Sequence, residues 1–166
     1  MSTTYRVTRN IEATLIEYIE AQLTAGSWTN IEVEKSFARV YDIEVGGSSS
    51  KAVICVMTQD AEYDRLEIGT TSLIPTRTVL IDIFAASDGQ KLDLQDFLIG
   101  VFKSGCVYYE FLITNGAVDT RTANGRLRVL TLTTTPINFD SDKNELDPHD
   151  RFRCRITLQI SRGVAE

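Results

Sequence analysis

The chain has one histidine, His149, and it lies inside the acidic stretch PINFDSDKNELDPHD that runs to Asp150. Any nucleophilic triad or proton relay that needs an imidazole would have to use it. Its polar neighbours and the Asp147-Pro148 step predict instead a solvated loop histidine beside a turn. The same stretch supplies Asp140, Asp142, Asn144, Glu145, Asp147 and Asp150, and its D-x-D-x-N start copies the first ligand positions of an EF-hand calcium loop. Glu145 then stands where the turn glycine belongs, and Arg151 where the bidentate glutamate belongs. The expectation is an acidic tip that is solvated or meets a basic partner surface, with no metal and no other cofactor.

Other candidates for chemistry read the same way. Carboxylate pairs could be drawn almost at will from 23 Asp and Glu residues, so none marks an acid–base couple. Asp82, inside the apolar run TVLIDIF, is read as a strand residue facing solvent or an adjacent subunit. Cys55, Cys106 and Cys154 are odd in number and widely spaced, without a CxxC pair, and are expected as buried free thiols. Gly46-Gly47-Ser48-Ser49-Ser50 lacks the GxxxxGK spacing of a phosphate-binding loop and reads as a flexible connection. Arg126 and Arg128, with Arg151, Arg153 and Arg155, recur at alternate positions of two expected strands and could form one basic stripe. Such a stripe suits the acidic loops of a neighbouring subunit. Nucleic acid is the other possible partner, but stacking aromatics are missing and the net charge of −6 opposes it. No catalytic residue emerges.

Elements positioning these groups follow from periodicity. Asn10 is expected to cap a helix over Ile11–Leu23 that ends before Gly26. A strand with one half-exposed face is expected from Ile31 to Gly46, and an apolar central strand over Ala52–Thr58. The polar segment QDAEYDRLEIGTTSL then reads as the projecting part of a long hairpin returning through Ser72–Ala85. Ser87 and Asp88 open a second helix carrying Leu94, Phe97, Leu98, Val101 and Phe102 on one stripe, with Gly105 as its stop. Cys106–Ile113, Arg126–Thr135 and Phe152–Ser161 follow as strands, with a loop through Gly116 and Gly125. In the last strand Phe152, Cys154, Ile156, Leu158 and Ile160 alternate with polar residues. The fold class is α+β: a mostly antiparallel sheet, two helices packed on one face and a long projecting hairpin, in a single domain over residues 1–166.

A hydrophobic fraction of 43% and a charged fraction of 24% are those of a chain that folds. No apolar run approaches the ~20 residues of a membrane helix, and the N-terminal segment lacks a signal-peptide core, so cytoplasmic synthesis is expected.

The order of segments, together with the string DRLEIGTTSLIPTRTVLIDIFAASDGQKLDLQDFLIGVFKSG from Asp64 to Gly105, resembles the tail terminator and tail-completion proteins of long-tailed bacteriophages. The plan is similar over most of the chain, the wording over its central third. The resemblance implies a structural virion protein without catalytic residues. Its subunits would form a six-fold ring that caps the head-proximal end of the tail tube and docks to the head connector, while DNA passes through the lumen. It implies that Asp60, Glu62, Tyr63, Asp64 and Arg65 on the hairpin contact the tube or a neighbour. The acidic tip (Asp140, Asp142, Glu145, Asp147) and Arg126, Arg128, Arg153 and Arg155 complete the expected assembly surface. A neck subunit of the connector is the near alternative; a small α+β enzyme or ligand-binding domain, or a DNA-contacting accessory protein, would belong to different classes.

Overall fold

The computed structural model describes residues 2–65, 73–139, 142 and 144–163. Along the chain run β1 (Ser2–Thr4), α1 (Val7–Ala25), β2 (Ile31–Glu34), the short helix α2 (Phe37–Val40), β3 (Ala52–Arg65) and β4 (Leu73–Phe84). They are followed by α3 (Asp88–Phe102), β5 (Cys106–Thr114), β6 (Ala117–Ile137), the short helix α4 (Pro148–Arg151) and β7 (Arg153–Gly163). The strands make one sheet in the order β1-β5-β6-β7-β4-β3-β2, antiparallel except for β2 beside β3. The expected α+β class is the one observed.

Alternation decides which face carries the helices. Ile54 and Val56 of β3, Val79, Ile81 and Ile83 of β4, and Cys154, Ile156, Leu158 and Ile160 of β7 all point to one side. There they meet Ile11, Leu15, Ile19 and Leu23 of α1 and Leu94, Leu98 and Phe102 of α3, all buried in the same cluster. Each such side chain contributes about 1.5–3 kcal/mol by leaving water. The Ser87 hydroxyl caps α3 by accepting from the Gln90 amide at 3.2 Å. Gly105 stops the chain behind it at φ +65°, and a Cβ there would run into the Leu127 carbonyl oxygen.

Four local expectations change. Asn10 is not a cap: α1 starts at Val7, and Asn10 is buried in its second turn. The strand expected from Ile31 to Gly46 stops at Glu34, because Phe37, Val40, Ile43 and Val45 fold as α2 and its exit loop over Val53, Cys55 and Phe84 on the sheet's other, outer face. Gly46 to Lys51 is a tight turn, closed by Gly46 N to Lys51 O at 2.8 Å and Lys51 N to Gly46 O at 3.1 Å. Positive φ at Gly46, Gly47 and Ser50 makes the reversal. The β3–β4 hairpin is laddered as far as Arg65 and Leu73, and the supposed loop through Gly125 belongs to β6; the hairpin's tip lies outside the described residues.

Candidate assembly surface

On the outer face the strands bring charge together where the sequence spread it out. Asp82 lies between Cys55 on β3 and Arg155 on β7. It is 1% exposed, which corrects the reading of a solvent-facing strand residue. Arg155 grips it with Nε to Oδ1 at 2.7 Å and Nη2 to Oδ2 at 2.9 Å, a two-pronged geometry that only a guanidinium offers. Arg153 adds Nη2 to Oδ2 at 2.6 Å and reaches Asp150 Oδ1 through Nη1 at 3.1 Å. Its guanidinium also lies over the rings of Phe84 and Phe37, 4.6 Å and 5.2 Å from their centroids. Two cations thus face two carboxylates, and the cluster has no surplus charge with which to attract an anion. The bond to Asp82 pushes the Arg155 pKa up, and burial with the nearby Asp82 charge pushes the Cys55 thiol up to about 12.

His149 anchors the next layer. It is 7% exposed, not solvated as its loop predicted. Nε2 lies 2.7 Å from the Ile43 carbonyl and Nδ1 lies 2.5 Å from Asp147 Oδ1, so α4 is tied to the loop after α2. Asp147 also accepts from the His149 amide at 3.0 Å, and these bonds hold its carboxyl below the usual range. A cavity of about 370 Å³ opens beside them, lined by residues that include Glu44, Gly47 and Arg151. Arg151 donates to the Leu146 and Asn144 carbonyls. Among the described residues, no three His, Cys, Asp or Glu side chains gather as metal ligands.

The expected basic stripe is split in two. Antiparallel pairing sets Arg126 and Arg128 opposite Gly163 and Ser161, whereas Arg153 and Arg155 face Ile137 and Thr135 at the other end of the same ladder. From Arg155 to Ser161 the strand advances roughly 20 Å. Arg153 and Arg155 are therefore internal ties, while Arg126 and Arg128 remain exposed, Arg126 donating to the Ser104 carbonyl. Asp60, Glu62, Tyr63 and Asp64 lie exposed on the distal part of β3. Arg65 ends that strand opposite Leu73. Asp142 is exposed and accepts from the Asn144 amide at 3.0 Å, with Glu145 beside it; Asp140 lies outside the described residues.

Sequence reasoning missed how the sheet's β5 side is closed. Thr14 Oγ1 accepts from the Tyr109 amide at 3.2 Å and donates to its carbonyl at 3.3 Å, and Asn10 Oδ1 accepts from the Phe111 amide at 3.2 Å. The Tyr5 amide takes the Phe111 carbonyl at 3.1 Å, and β1 then covers Leu112–Thr114. Polar residues facing inward on α1 were the available signal.

No protein-family model matches the chain, and no curated protein matches it as a relative.

Proposed function

We propose that this chain is a structural assembly subunit, a tail terminator whose six-membered ring caps the head-proximal end of a phage tail tube and docks it to the head connector. Its home is then the virion, its partners are further copies of itself, the tube protein and the connector, and DNA traverses the lumen without specific binding. The observation that carries this reading is the plan of the fold: a helix, a long β3–β4 hairpin, a second helix and closing strands, in the order that the resemblance implies over Asn10–Ser161. The self-compensated cluster around Asp82 also fits a subunit whose buried charges hold strands in place. The test is the mass of the purified protein across a concentration series, alone and with assembled tail tubes, followed by imaging. A closed ring, or decoration confined to one tube end, is the expected result. Binding to connectors but not tubes would make it a neck subunit, and indifference to both would sink the assembly role.

A further inference from the structure

β6 changes neighbours part-way along its length. Ala117–Leu127 pair with β5, but from Arg128 onward β7 alone lies beside it. Arg128–Thr135 is thus an edge whose outward amides and carbonyls no described strand takes up. Arg128, Leu130, Thr131, Thr133, Thr134 and Thr135 are all exposed, with Leu130 at 54% in the bulge between Val129 and Thr131. After Arg128 the edge is uncharged and rich in β-branched residues, a combination that accepts another strand unless lysines or bends blunt it. Pro136 stands at its far end.

Across the same half of the sheet, β3 offers the complementary edge. β2 covers Ala52–Cys55, but among the described strands Ala61–Arg65 pair with β4 alone. Glu62 and Asp64 point to the outer face there, and no described cation pairs with them. Arg126 and Arg128 are on the same face with no described carboxylate partner. The registers align Glu62, Thr76, Ser161 and Arg128 in one row, acid at one edge and base at the other.

We infer that copies of this chain join head to tail by strand addition. Ala61–Arg65 of one copy lies along Arg128–Thr135 of the next, its acids approaching the Arg128 end of that edge, beside which Arg126 stands on the same face next to β5. Main-chain bonds supply the attachment and the charges fix its register. Two different patches make the contact heterologous, so it repeats until the rotation closes. This pairing deepens the ring reading and rests on it for the identity of the neighbour.

Sedimentation of two variants tests it: Glu62→Lys with Asp64→Lys, and Arg126→Glu with Arg128→Glu. All four side chains are exposed, so both variants keep the wild-type melting temperature. Each alone is expected to self-associate at least about tenfold more weakly than wild type. Mixed in equal amounts they restore assembly, because alternating copies set lysines against glutamates at one contact and the unaltered acids against the unaltered arginines at the next. Wild-type protein that stays monomeric through the series, variants that assemble unaided, or a mixture that fails to recover would each overturn the pairing. Variants that assemble unaided and still cap tubes would leave the terminator role standing. A mixture that recovers but ignores tubes would do the reverse.

Discussion

The outer edges of β5 and of the second half of β6 are made of the same material, backbone amides and carbonyls that point away from the sheet, and the fold treats them oppositely. On β5, Asn10 and Thr14 reach over from α1 and take main-chain groups of Phe111 and Tyr109, and β1 adds a last short strand. On β6, nothing described lies along Arg128–Thr135. A helix that spends two inward positions on polar residues commits an edge to the fold; an edge left with threonines stays available to another chain.

The contrast breaks most severely at the support behind the open half. Asp82→Ala would leave Arg153 and Arg155 facing each other without their shared anion, a loss of about 3–5 kcal/mol in denaturant unfolding. Amides of β4 and β7 should then exchange faster while those of β5 keep their protection. A loss under about 1 kcal/mol would mean that packing, not the charge cluster, holds that half together.

Unsealing the other edge is milder. Asn10→Ala strands the buried Phe111 amide at a cost of about 1–3 kcal/mol. Hydrogen exchange should accelerate at Phe111 and spare β7. Unchanged protection at Phe111 would show that β1 and Tyr5 close the edge without Asn10.

Alkaline titration compares the halves through their thiols. Burial pushes Cys106, at the start of β5, and Cys154, on β7, up to about 11, and Cys55 up to about 12. Native thiols are held protonated, so unfolding releases protons above the ordinary thiol pKa of about 8.5. Their stabilising contribution is complete below that pH and is lost as pH rises toward 11 to 12. At pH 8 a thiol reagent should label none of the three in native protein and all three in denaturant. Early labelling of Cys106 alone would mark the sealed half as the weaker one.

Thr133→Lys tests the smallest energy and the sharpest distinction. An exposed threonine exchanged for lysine changes stability by no more than about 0.5 kcal/mol, yet it places a blunting charge on the open edge. Self-association should weaken at an unchanged melting temperature.

Much of this architecture was legible from one-dimensional pattern. The alternation from Phe152 to Ile160 gave the buried face of β7, and Ser87 marked the start of α3. The charge cluster was not legible, because Asp82 and Arg155 are 73 residues apart and only the β4–β7 register makes them neighbours. Asn10 misled because Asn before an apolar run usually caps a helix, whereas here its amide group serves a strand instead. The split of β6 between two partners was not legible either: Asn124-Gly125 reads as a turn, yet one strand runs through it from Ala117 to Ile137 and changes neighbours just beyond. Arg126 and Arg128 were rightly expected as exposed, but grouping them with Arg153 and Arg155 required a direction of pairing that spacing does not contain.

The bond from Asn10 to Phe111 spans 101 residues, which has a consequence for the nascent chain. At roughly 5–20 residues per second on the ribosome, α1 waits about 5 to 20 s before the strand it covers emerges. β6 follows within moments, and its edge finds no cover within the described chain. The newly made subunit therefore leaves synthesis with one tacky border, and how fast it meets its next copy, relative to wrong partners, sets how much of it reaches a useful assembly.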